Sequence, residues 1–174
     1  MLLRIKKFRD IDGRRLMDIY HESNTENVSR LFPEYTGQSV GLRKVEQAYL
    51  QYLKKEFFSK PENSLYLLEK SKVWVSAVRI YQIHSGFYYE QALETHPDYR
   101  GRGYAEELMH EVTETLADHG SFELHANISG NNTASLQVHR GCGFKLYSNK
   151  GYDYLENQAL PESYGAVYRY LSQD

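Results

Sequence analysis

A chain of 174 residues, 41% of them hydrophobic, can bury one core but not two, so a single domain over 1–174 is expected. Its 21 basic and 23 acidic residues leave a formal charge of −2, with no global field to recruit nucleic acid or an anionic membrane, so any anion site must be local. No apolar run approaches the roughly 20 residues of a membrane span, "MLLRIKKFRD" turns charged too early for a secretory signal, and the lone Cys142 forms neither an internal disulfide nor a metal cluster; a cytoplasmic protein without a metal is expected.

"LLRIKKF" reads as a first strand, and Asp10 or Asp12 can cap a helix carrying Leu16, Ile19 and Tyr20. The polar "HESNTENVSRLFPEYTG" interrupts the pattern and is read as loop. A second helix places Leu42, Val45, Tyr49, Leu53 and Phe57 at helical intervals between Gly41 and Pro61. Three strand-like runs follow, "SLYLLEK", "KVWVSAVRIYQI" and "FYYEQALET". The short "HSG" between the last two favours an antiparallel hairpin, because a parallel pair needs a crossover of about a dozen residues or more. Ala105, Leu108, Met109, Val112 and Leu116 then form the apolar stripe of a helix, with Glu106, Glu107, Glu111 and Glu114 on its other faces and Gly120 as its stop. "SFELHANIS" alternates as a strand, and "NTASLQVHRGCGF" reads as a short helix entering a Gly-rich turn. The tail supplies two tyrosine-rich strands joined by a loop around Pro161, which makes the fold class α/β (α+β).

Chemistry concentrates in "HPDYRGRGYAEELMHEV". A strand, a Gly-rich turn and a helix whose amino end faces the turn make an anion cradle: unpaired N–H groups and the helix dipole point at the ligand, and glycines let it approach the backbone. Arg100 and Arg102 add charge, and Pro97, with no N–H to give, stops the strand ladder. The dinucleotide fingerprint G-x-G-x-x-G fails because Glu106 stands where its third glycine belongs, and the Gly-Lys-Ser/Thr of a Walker loop is missing.

"ALETHPDYRGRGYAEELM" resembles the pyrophosphate-binding segment of the GNAT superfamily of N-acetyltransferases, whose signature is Arg or Gln, two residues, Gly, one residue, then Gly or Ala. Arg100, Gly103 and Ala105 fill it in register, after a strand end at Leu93, Thr95 and Pro97 in which Thr95 replaces the commoner valine. "NNTASLQVHRGCGF" resembles the second family motif at Asn132, Ser135, Gly143 and Phe144. The resemblance covers about residues 64 to 146; the part before it matches only in element order. It implies a mixed, mostly antiparallel central sheet of about six to seven strands flanked by about four helices, splayed between strands 4 and 5, with acetyl-CoA in the gap. Backbone groups of Leu93, Glu94 and Thr95 would hold the pantetheine and thioester. Amides of Arg100, Gly101, Arg102, Gly103, Tyr104 and Ala105 would hold the pyrophosphate. Asn132 would bond the pantetheine arm, and Ser135 and His139 complete the implied cofactor set.

Transfer to an amine requires a base to take its proton, and a leaving thiolate with a pKa near the cysteine value of roughly 8.5 gains from a donor. Many family members place a Tyr donor where this chain has His139, as some relatives acting on small molecules do. Strand parity sets Leu93 and Thr95 on one face and Glu90, Ala92 and Glu94 on the other, which makes Glu94 and Glu90 the candidate bases, with His125 on the next strand a third. The expected activity is acetyl transfer from acetyl-CoA to a primary amine of a small molecule or peptide, by direct attack in a ternary complex. The alternative, which His139 in place of Tyr keeps open, is a catalytically inactive acyl-CoA-binding sensor or assembly module. Glu22, Glu26, Glu34, Glu156 and Glu162 on the polar segments suit a cationic acceptor, and the tyrosine-rich terminal strands offer an edge for a homodimer.

Overall fold

A computed structural model describes residues 1–172. The elements run β1 (Leu2–Ile5), α1 (Gly13–Ile19), α2 (His21–Leu31), α3 (Ser39–Lys55), β2 (Ser64–Lys70), β3 (Val73–His84), β4 (Phe87–Thr95), α4 (Tyr104–Ala117), β5 (Phe122–Ser129), α5 (Thr133–Gly141), β6 (Lys145–Ser148), β7 (Gly151–Asp153), β8 (Gln158–Leu160) and β9 (Ser163–Tyr170). Seven strands form a mostly antiparallel sheet in the order β1-β2-β3-β4-β5-β9-β6, with β4 and β5 its parallel pair, and β7 and β8 form a separate hairpin. The chain divides into two compact units, Met1–Ala77 with Glu94–Tyr104 and Val78–Leu93 with the chain from Ala105 onward, and β3 and β4 contribute to both. No helix among the described residues is long and apolar enough to cross a membrane.

In the first unit, β1 pairs antiparallel with β2 from Leu2↔Leu68 to Ile5↔Leu65. Leu65, Tyr66, Leu67 and Leu68 are all buried, so β2 reads as a continuous apolar run rather than an alternation. Of the two caps the sequence offers, Asp12 is used: its Oδ1 accepts from the N–H groups of Arg14 and Arg15 at 3.1 and 3.2 Å. The stretch read as loop is largely helix. Only Val28 and Asn24 of α2 are buried, and its polar side chains bond back to its own turns, Thr25 Oγ1 donating to the His21 carbonyl at 2.7 Å. Such a helix has almost no apolar stripe, which is why periodicity misses it.

In the second unit, α4 buries Leu108, Met109, Val112 and Leu116, and Gly120, at φ 99°, follows its end. β5 pairs with β9 from Phe122↔Tyr170 to Ser129↔Ser163, and β6 joins the other side of β9. Among the described residues four strands occupy the tail where two were expected; β7 and β8 are three residues each, too short for alternation to register. Among the described residues the α-helices number five against the about four expected.

Gly41 sits where α3 passes α2, and a Cβ there would lie 2.4 Å from Val28 Cγ1 and 2.8 Å from the Tyr35 carbonyl oxygen. Gly41→Ala is expected to cost roughly 1–3 kcal/mol by overpacking, lowering Tm by several degrees in a thermal melt; an unchanged Tm would show that α2 yields freely.

Candidate active site

In the second unit β4 and β5 run parallel from Phe87↔Glu123 to Glu90↔Ala126 and share no ladder beyond that point among the described residues, whereas β5 stays on β9 out to Ser129. Ala92 follows at φ 55°, a left-handed conformation that costs a non-glycine residue about 1–3 kcal/mol. That residue breaks the alternation, so a parity count from Leu93 back to Glu90 does not hold.

Glu90, 5% exposed, is the last β4 residue on this ladder, and His139 of α5, 2% exposed, lies against it with Nε2 2.8 Å from Oε1. Nδ1 donates to the Ser135 carbonyl at 2.7 Å, one helical turn back. A carbonyl only accepts, so Nδ1 carries a proton, and Nε2 is held by the Glu90 carboxyl group. Burial alone would lower the imidazole pKa, but the charge and hydrogen bond of Glu90 and the Ser135 carbonyl hold it above its ordinary value. Both ring nitrogens are therefore engaged. Glu90 Oε2 is buried and has no partner among the described residues.

In the first unit the end of β4 leads into the Gly-rich turn. Ser76 Oγ donates to the Glu94 carbonyl at 2.7 Å and the His96 N–H donates to Val75, after which Pro97 ends the strand. Gly101 and Gly103 lie at φ 70° and 76°, the conformation that glycine adopts without strain. A Cβ on Gly101 would meet nothing within 4 Å, so its face of the turn is open. Among the described residues the N–H groups of Gly101, Arg102, Gly103 and Tyr104 have no backbone acceptor. Arg100 Nε donates to the Thr95 carbonyl at 3.3 Å and Nη1 pairs with Glu22 of α2, while Arg102 Nη2 donates to the Asp98 carbonyl at 3.2 Å. Open N–H groups, two guanidinium groups and no side chain over Gly101 fit a polyanionic phosphate.

Beside this turn, Glu94 is half-buried. Burial pushes its carboxyl up to about 7; Ser23 and Arg100 hold it down, while Glu26 and Glu22 push it further up. A group poised near neutrality can both accept and release a proton there.

The model of the acetyltransferase (GNAT) family matches residues 16–144. The chain belongs to the GNAT acetyltransferase family. No curated relative matches it in sequence. Solved structures share the fold at low identity. A PaiA N-acetyltransferase from Thermoplasma acidophilum in complex with coenzyme A is 11% identical, with 98% of this chain and 99% of that one covered and a TM-score of 0.65. A phosphinothricin acetyltransferase from Sinorhizobium meliloti in complex with acetyl-CoA is 16% identical over 98% and 88%, TM-score 0.63. A mutant of the spermidine N-acetyltransferase SpeG from Vibrio cholerae is 13% identical over 97% and 92%, TM-score 0.59.

Within this GNAT chain, Glu90 and His139, expected as base and acid, are brought together as partners, while Glu94 is placed with α2. Asn132 caps α5, its Oδ1 accepting from the Ser135 N–H at 3.0 Å, and Ser135 Oγ lies 3.3 Å from His139 Nδ1. His125 has both nitrogens occupied, by Glu123 at 2.9 Å and the Tyr154 hydroxyl at 3.2 Å, and its ring stacks on Phe87. Cys142 is 4% exposed and burial pushes its thiol up to about 12, so it is no nucleophile. Sequence reasoning missed Ser23, and it placed Glu22 and Glu26 on a loop; their spacing of four residues was the available signal for one helix face. No group of three or more His, Cys, Asp or Glu among the described residues could hold a metal ion.

Removing one partner of a buried ion pair costs about 3–5 kcal/mol, so His139→Ala should lower Tm by on the order of 10 °C. Glu90→Gln, which keeps an acceptor for Nε2, should cost less; equal losses would argue against a charged pair. Because the folded-state pKa of Glu94 is raised from 4.5 to about 7, the protein loses stability as pH rises through that window. Glu94→Gln should therefore raise Tm at pH 8 more than at pH 5, and a pH-independent difference would refute the raised value.

Proposed function

We propose that the chain is a single-domain, cytoplasmic N-acetyltransferase that moves the acetyl group of acetyl-CoA to the primary amine of a cationic small molecule or peptide. The observation that carries this reading is the Gly-rich turn, whose N–H groups from Gly101 to Tyr104 have no backbone acceptor, beside the half-buried Glu94, whose carboxyl burial pushes up to about 7. Acetyl-CoA supplies the acetyl group as a thioester, already activated toward an amine. The N–H groups of Gly101, Arg102, Gly103 and Tyr104 and the guanidinium of Arg100 would hold its pyrophosphate. Backbone of Glu94 and Thr95, which leads into the turn, would hold the pantetheine arm.

Glu94 is assigned as the base: its carboxylate takes the proton that the amine must lose to attack. Burial supplies the basicity an ordinary surface glutamate lacks, and Glu22 and Glu26 on α2 add negative charge that suits a cationic amine. Spermidine and phosphinothricin, the substrates named for two proteins of the same fold, both carry amines, which supports this acceptor class. The Glu90–His139 pair is assigned to fixing α5 against β4. Its proton would reach a leaving thiolate only if the imidazole let go of Glu90 or Ser135, so direct donation by His139 is the less favoured role.

Acetyl-CoA at 100 times its Kd should raise stability by about 2.7 kcal/mol, a Tm shift of roughly 5–10 °C, with NAD inert. No shift with CoA or acetyl-CoA would remove the reading. In an amine screen followed by thiol release, Glu94→Gln should lower kcat by about 10²–10⁴-fold with little change in the KM for acetyl-CoA, and the wild-type rate should fall on the acid side of about 7. Cofactor binding with no turnover on any amine would favour the sensor instead.

A further inference from the structure

Arg100 belongs to two neighbourhoods. It opens the Gly-rich turn, and its other contacts lead to the base: Nη1 pairs with Glu22, and Nε donates to the carbonyl of Thr95, the residue after Glu94. The groups acting on the Glu94 carboxylate are Ser23, Glu22 and Glu26 from α2 and Arg100 from the turn. Arg100 supplies the one positive charge in that set. Arg100 and Glu22 are each 49% exposed, so the guanidinium can exchange one anion for another without leaving water.

We propose that Glu22 is a positioning residue for acetyl transfer: it parks Arg100 beside Glu94, and a phosphate on the turn draws that guanidinium away, so that cofactor binding and the proton on Glu94 are linked. The inference rests on the assignment of the pyrophosphate to this turn. Phosphate charge facing Arg100 cancels its pull on Glu94 and returns to Glu22 its full negative charge. Both changes favour the protonated carboxyl. Linkage then requires that cofactor binding near pH 7 take up protons, and that affinity rise as pH falls through the Glu94 range. A cationic acceptor arriving among Glu94, Glu22 and Glu26 acts in the opposite sense. It favours the ionised form, so the proton gained with the cofactor leaves with the acceptor, and Glu94 meets the amine as a base.

Calorimetric titration of CoA into the full chain at pH 7, in two buffers of different ionisation enthalpy, counts the protons exchanged. Wild type is expected to take up more than Glu94→Gln by roughly a few tenths of a proton, the variant correcting for the titration of CoA itself. Glu22→Gln, which frees Arg100, should bind CoA more tightly, by up to about fivefold, the worth of an exposed ion pair. Equal proton counts with binding intact would overturn the linkage and leave the transferase reading standing. Weaker binding by Glu22→Gln would make Glu22 a strut for the turn and overturn its proposed role. Failure of wild type to bind CoA would remove the pyrophosphate assignment and the linkage with it.

Discussion

Two parallel strands that share a ladder and then part must be made to part, because backbone N–H and C=O groups otherwise keep pairing. β4 and β5 do so after Glu90↔Ala126. On one side, β5 is held to β9 for its full length, so it does not follow β4. On the other, β4 takes the left-handed turn at Ala92, and the residue before the break is anchored by the buried bond from Glu90 to His139. A buried ion pair adds little net stability over an apolar pair of the same size, but it tolerates few alternative arrangements. Here one half of that pair is the last residue of the ladder.

The same economy governs the charge. A protein with a net charge of −2 attracts an anion only where donors are concentrated, and the turn after β4 concentrates them through glycine conformation more than through side chains. Its guanidinium groups are already engaged by protein oxygens, so they are available by exchange. Glu94 lies close to that exchange, and its pKa near 7 is the sum of a burial penalty and a few opposed charges, any one of which can shift the balance.

Much of this was legible in the sequence where the signal was local. The turn could be read because glycine, proline and arginine each leave a mark that needs no tertiary context, and the α4 stripe because its apolar residues follow one period. The two family motifs located the fold. What escaped reading depended on tertiary partners. α2 is a polar helix with few buried side chains, and β7 and β8 are too short to show a pattern. Strand parity assumed an unbroken strand, and nothing about an alanine announces φ 55°. That His139 has both nitrogens engaged follows from Ser135 one turn back and from Glu90 on β4, and the second of these is invisible without the fold.

Cys142 gives the chain an unplanned convenience. Its thiol is the only one in the sequence, it is buried, and at neutral pH a pKa of about 12 leaves it almost entirely protonated. Disulfide dyes react with thiolates they can reach, so they should pass over the native protein. Any thiol such a dye detects during turnover is then CoA itself, and acetyl transfer can be followed continuously in the wild-type chain without mutating or blocking a cysteine.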